Sequence, residues 1–177
     1  MSLLSHVADV LRAAEVRFAL IGASAMAAHG VGRSTLDQDL LVVNPSCLQP
    51  GFWKDLQQTG VRVEVRRGDA FDPLAGVVRF EQRGERPVDL VVGKFAWQRN
   101  VIQRAMAARG ATEAPIPVAR AADIILLKLF AGGPQDAWDI EQILSVEDRE
   151  SLIAAVDAEI AELPAESAYL WRKILGG

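Results

Sequence analysis

Residues 20–43 read LIGASAMAAHGVGRSTLDQDLLVV, and the fold is decided in this stretch. The pattern predicts a strand ending at Ile21, a turn at Gly22, a short helix over Ala23–Ala28 closed by His29 and Gly30, then a second strand carrying Asp37 and Asp39. Strand side chains alternate between faces, so Asp37, Asp39, Leu41 and Val43 share one face. Two carboxylates about 4 Å apart repel by roughly 1 kcal/mol in water and about 4 kcal/mol near a protein surface. A divalent cation removes that cost, and hard oxygen donors suit magnesium. Upstream, the small residues Gly22, Ala23 and Ser24 open a helix whose first N–H groups and dipole favour an anion. A phosphate cradle and a carboxylate pair one short helix apart make a nucleotide site.

Working outward, the 177 residues suffice for one domain, or for a core with a helical appendage. Asp9, Arg12, Glu15 and Arg17 interrupt the N-terminal apolar pattern, which is neither a signal peptide nor a membrane span. A single cysteine, Cys47, fits a reducing cytoplasm, and one Cys with two His makes a zinc site an unsuitable reading. Apolar periodicity predicts helices over 3–14, 52–58, 95–109, 119–131, 135–144, 146–161 and 165–175. Strands are expected over 18–21, 61–65, 77–81 and 88–92, with an extended connection at 113–118. The division is a core over 1–118 and a helical segment over 119–177 packed on it.

Asp89 interrupts the apolar run Val88-Asp89-Leu90-Val91-Val92. An ionised carboxylate in a largely buried strand must be paired or bound to a metal. Lys128 lies among Ile124, Ile125, Leu127 and Leu129, and Asp136 and Asp139 share one helix face. Plainer readings stand beside these. Asp37 serves as a cap and Asp39 as a partner of Arg33; Asp89 pairs with Arg86 or Lys94; Lys128 extends to solvent; Asp136 and Asp139 cap their helix and orient Lys128. His29 reads as structural, and the four tryptophans as core.

The order Gly22-Ala23-Ser24, Gly30-Val31-Gly32-Arg33-Ser34-Thr35, Asp37-Gln38-Asp39, and later Pro117, Leu126-Leu127-Lys128-Leu129 and Asp136-Ala137-Trp138-Asp139 resembles the nucleotidyltransferase superfamily, the polymerase-β-like fold. More narrowly it looks like the bacterial abortive-infection type, often the toxin of a toxin–antitoxin pair. The chain departs from the pattern at Ala23, at Gln38, and before Asp136, where basic residues are usual and Gly132, Gly133, Pro134 and Gln135 stand. The resemblance implies an α+β fold, a mixed sheet flanked by helices with a C-terminal helical portion. It implies Mg²⁺ on Asp37, Asp39 and a third carboxylate, Asp89. It implies NTP contacts from Gly22, Ala23, Ser24, Arg33, Thr35 and Lys128, with Asp136 and Asp139 in support. The reaction is NMP transfer to an acceptor hydroxyl on tRNA or protein, with a cognate antitoxin as partner and no membrane. The alternatives are a catalytically inactive binding domain and an aminoglycoside-type small-molecule enzyme.

Charge is uneven along the chain. Residues 62–120 carry 11 Lys/Arg against 7 Asp/Glu, whereas 121–177 carry 4 against 11. Neither a basic run nor an aromatic-interleaved stripe accompanies the basic middle, so solvated faces account for it as well as phosphate or RNA binding.

Overall fold

The computed structural model describes residues 2–32, 36–107 and 115–176. Arg33 and Thr35 lie outside the described residues. Among those described, a seven-stranded mixed sheet comprises β1 (Ala19–Ile21), β2 (Gln38–Val42), β3 (Arg62–Arg67), β4 (Gly76–Glu81), β5 (Val88–Val92), β6 (Met106–Ala107) and β7 (Pro117–Val118) in the order β3-β4-β5-β2-β1-β7-β6. The β2–β5 and β1–β7 pairs are parallel and the rest antiparallel. Helices are α1 (Leu3–Ala13), α2 (Gly22–Ala28), α3 (Lys54–Gln58), α4 (Ala96–Arg104), α5 (Ala121–Ala131), α6 (Asp136–Val146), α7 (Arg149–Asp157) and α8 (Ala165–Ile174). The expected α+β class is found.

Alternation on the strands decides the layering. Val78, Phe80, Val88, Leu90, Val92, Leu40 and Val42 are fully buried, and Trp53 stacks edge-on against Phe80 with centroids 4.6 Å apart. On α1, Leu3, Leu4, Val7, Ala8 and Leu11 recur at helical spacing and are buried. Ser2 caps that helix by accepting the Ser5 N–H at 3.2 Å. Cys47 sits in a one-turn 3-10 helix rather than an open loop, and burial pushes its thiol up to about 11. Trp53, Trp97 and Trp171 are core residues; Trp138 is not, being 47% exposed.

Helix α5 is apolar on nearly every side and packs against α2, α6, α7 and α8. Ile124, Ile125 and Leu129 are buried as their spacing predicts, Leu126 is buried with them, and Leu127 is only partly buried. Gly132 ends α5 at φ 62°, the left-handed cap that glycine adopts without strain.

Two helix expectations need correction. The helix over 95–109 stops at Arg104, because Ala105 turns extended and Met106 and Ala107 pair with Val118 and Pro117; sheet pairing overrides local helical pattern. The helix over 146–161 is broken at Glu147, which is extended, and restarts as α7 behind Asp148. That carboxylate accepts from Ser151 Oγ at 2.7 Å and from its N–H at 3.4 Å.

The sequence reading gave no place to Asp123, which is fully buried in the first turn of α5. Arg104 of α4 reaches it at 2.6 Å and Arg120 at 2.9 Å, and Arg104 also bonds Glu159 at 3.0 Å. Breaking a buried pair from one side leaves an uncompensated charge. Here Arg104 keeps Glu159 and both arginines reach solvent, so Asp123→Ala is expected to cost about 1–3 kcal/mol, read as a lowered midpoint in denaturant unfolding.

Candidate active site

Register brings the carboxylates together. Asp39 of β2 lies directly across from Asp89 of parallel β5, and across from Ile21 of β1 on its other side. Asp89 in turn faces Arg79 of β4, which faces Glu64 of β3. Directly paired residues share a sheet face, so one lateral row runs Ile21, Asp39, Asp89, Arg79, Glu64. Asp37, two residues before Asp39, joins the same face just ahead of the strand.

Gly22 follows Ile21 at φ 63°, and a Cβ placed there would fall 2.2 Å from Asp39 Oδ2. The Asp39 carboxylate thus occupies the space a side chain would need, and glycine is required on both grounds. Among the described residues no side-chain cap hydrogen bond closes the start of α2. Ala23 is buried while Gly22 and Ser24 are partly exposed, so the Ala23 methyl is turned away from the surface of the turn.

Arg79 is the residue that sequence reasoning missed. Its Nη1 donates to Asp89 Oδ2 at 2.8 Å and to Asp37 Oδ2 at 3.3 Å, and its Nε to Glu81 Oε1 at 3.0 Å. The expected partners of Asp89, Arg86 and Lys94, are not the ones it takes; Arg86 Nε donates to the Leu36 carbonyl at 3.4 Å. The available signal was the alternation Val77-Val78-Arg79-Phe80-Glu81, which puts Arg79 on the polar face of a strand. Hydrogen bonds to Glu81 and Asp37 hold the Arg79 guanidinium still more firmly protonated. Burial pushes the Asp89 carboxyl above the ordinary carboxylate range; Arg79 pulls it back and Asp37 pushes it up.

The residues fit a divalent cation in kind. Three hard carboxylates converge on one edge, and Asp89 Oδ1 is buried with no hydrogen-bond partner among the described residues. As they stand, no three acidic, His or Cys side chains among the described residues form a ready ion-binding group. The Arg79 guanidinium instead bridges Asp37 and Asp89.

Lys128 does not extend to solvent. It is 9% exposed and its Nζ bonds Asp139 at 2.5 Å and Asp136 at 3.0 Å. Asp136 also accepts the Gly133 N–H at 2.8 Å, tying the α5–α6 turn to the lysine. The structure therefore assembles two groups, Asp37–Asp39–Asp89 with Gly22, and Lys128–Asp136–Asp139. His29 is structural: Nε2 meets the Ala119 carbonyl at 2.9 Å and Nδ1 meets Glu147 at 3.0 Å. Beside Asp89, a cavity of about 320 Å³ opens between β4 and the β3–β4 loop, lined by Arg66, Arg67, Asp72, Gly76 and Arg79.

No family model and no curated protein matches the chain. Among solved structures it is similar to the antibiotic-resistance factor ANT(2'')-Ia in solution, at 14% identity and TM-score 0.58, over 90% of each chain. It is also similar to crystalline ANT(2'')-Ia in complex with adenylyl-2''-tobramycin, at 16% identity and TM-score 0.55, over 89% of this chain and 97% of that one. The lincosamide antibiotic adenylyltransferase LnuA, lincomycin-bound, superposes less closely, at 13% identity and TM-score 0.49, over 81% and 96%. At such identities the likeness is one of fold, and the fold is nucleotidyltransferase-like.

The raised Asp89 carboxyl has a consequence for stability. Between its unfolded value of about 4 and its higher folded value, the native state binds the extra proton. This contribution is fully present below the unfolded value and is lost as pH rises through the folded one. Asp89→Asn removes it. Melting temperatures followed against pH should show wild type losing ground to Asp89→Asn as pH rises through that window.

Proposed function

We propose that this chain is a Mg²⁺-dependent nucleotidyltransferase that moves NMP from an NTP to an acceptor hydroxyl. The observation that carries the reading is the register of Asp39 beside Asp89, with Gly22 held open against Asp39. Asp37, Asp39 and Asp89 would hold Mg²⁺, which would supply charge stabilisation to an in-line displacement at the α-phosphate. Gly22, Ala23 and Ser24 present the uncapped start of α2 to the triphosphate. Arg33 and Thr35, from the segment between α2 and β2, add polar contacts to it. Arg79 ties Asp37 to Asp89 before the nucleotide arrives.

Lys128 is assigned to the pyrophosphate side, where a cation offsets charge as it develops. Asp136 and Asp139 fix the position of its ammonium group. The acceptor belongs to tRNA or a protein, in the manner of a toxin paired with an antitoxin. The single cysteine supports a cytoplasmic setting; no helix among the described residues is long and apolar enough to cross a membrane.

A second reading, an inactive binding domain, is favoured by one observation: Arg79 already bridges Asp37 and Asp89. Transfer of labelled nucleotide to any acceptor in total RNA or protein excludes it.

Asp37→Asn and Asp39→Asn should each reduce metal-dependent NTP binding, and together abolish transfer, while the circular dichroism spectrum is retained. Calorimetric titration of Mg²⁺–NTP into wild type and the double variant checks this; equal affinities would sink the proposal. Gly22→Ala should fail too, since a left-handed non-glycine residue costs roughly 1–2 kcal/mol even before its methyl displaces the Asp39 carboxylate.

A further inference from the structure

Arg79 holds its carboxylate partners unequally. Its Nε donates to Glu81 Oε1 at 3.0 Å and its Nη1 to Asp89 Oδ2 at 2.8 Å, both firm charge-assisted bonds. Toward Asp37 the same group is stretched. Nη1 lies 3.3 Å from Asp37 Oδ2 and Nη2 lies 3.5 Å from Asp37 Oδ1, at the outer limit of hydrogen bonding.

Strand geometry explains the difference. Glu81 and Arg79 stand two residues apart on one face of β4, and Asp89 is the direct cross-strand neighbour of Arg79. Asp37 lies ahead of β2, with β5 between it and β4, so the guanidinium must reach across a strand. Arg62 and Arg66 of β3 are engaged by Glu64 and Glu81.

The two bridged carboxylates differ in what they have left to offer. Asp89 gives Oδ2 to the arginine, while its Oδ1 is buried with no hydrogen-bond partner among the described residues. Asp37 turns both oxygens toward the guanidinium. A magnesium ion takes its oxygen ligands at about 2.0–2.1 Å and in near-octahedral order. A cation that close to Asp37 meets the positive guanidinium on the same carboxylate, and the two repel.

We propose that Arg79 and the divalent cation are alternative partners of Asp37, an inference that rests on the Mg²⁺ reading above. In the metal-free protein Arg79 is a positioning residue that ties Asp37 to Asp89. When metal binds, the guanidinium gives up its two long bonds to Asp37 and stays on Glu81 and Asp89. The arginine thereby lowers the metal affinity of the edge that it holds in shape. A site merely damaged by loss of Arg79 would bind metal more weakly; this one binds it more tightly.

The test titrates Mn²⁺ into the full chain and reads the free ion by electron paramagnetic resonance, with circular dichroism as the check on folding. Arg79→Gln should bind Mn²⁺ about tenfold more tightly than wild type and melt below it in EDTA. Arg79→Lys keeps the charge on a shorter stem that falls short of Asp37, so it should tighten binding as well. It also carries the test if Arg79→Gln does not fold. Arg66→Gln, which removes an arginine engaged by Glu64, should leave the affinity within about twofold of wild type. Unchanged or weaker Mn²⁺ binding in Arg79→Gln overturns the inference. So does a wild-type affinity in Arg79→Lys, or equal tightening in Arg66→Gln, because either assigns the effect to charge at large and not to the Asp37 contact. These outcomes defeat this inference alone, whereas absence of Mn²⁺ binding from wild type and both Arg79 variants defeats the Mg²⁺ reading with it.

Discussion

The structure depends on one unfavourable juxtaposition, Asp39 and Asp89 side by side on adjacent parallel strands. Parallel pairing of β2 with β5 cannot slip by a residue without turning Leu40, Val42, Leu90 and Val92 out of the core, so hydrophobic burial enforces the meeting of the carboxylates. Electrostatics alone would drive them apart. Arg79 resolves the conflict locally: one guanidinium, placed by β4 in the same lateral row, reaches both Asp37 and Asp89. The apolar face of the sheet sets the register, and the polar face bears the electrostatic cost.

The remainder of the molecule holds that edge in place. Trp53, Phe80 and the residues of α1 fill one side of the sheet. The apolar helix α5 gathers α2, α6, α7 and α8, and its buried Asp123 is clamped by arginines from α4 and from its own N-terminus. A carboxylate near a helix N-terminus is favoured by the dipole, which adds to the ion pairs there. The acidic C-terminal third is therefore partly an internal matter, with Asp123, Asp136, Asp139 and Glu159 neutralised by Arg104, Arg120 and Lys128.

Most of the fold was legible because it is written in short-range patterns. Period-two alternation marked β3, β4 and β5, and helical spacing marked α1 and α5. Gly22, Gly30 and Gly132 marked turns that the backbone makes at positive φ. Asp37, Asp39 and Asp89 were legible as carboxylates out of place in apolar strands. What could not be read was pairing across the sheet. Nothing local says that Arg79 rather than Arg86 or Lys94 answers Asp89, because register is a property of two strands. The same blindness extended the helix beyond Arg104, where Met106 and Ala107 find β7 instead. Trp138 reads as a core residue in sequence, yet its helix buries Asp139, Ile140 and Ile143 and leaves the indole 47% exposed. Arg33 and Thr35 lie outside the described residues.

The imidazole of His29 touches two parts of the chain far apart in sequence, the carbonyl just before α5 and the carboxylate just after α6. It is also the residue that closes α2. The helix that begins at Gly22 is thereby moored at its far end to the C-terminal helices. Any swing of those helices either pulls on α2 or ruptures two hydrogen bonds, each worth about 1 kcal/mol. One side chain thus ties the far end of that helix to both ends of the α5–α6 pair.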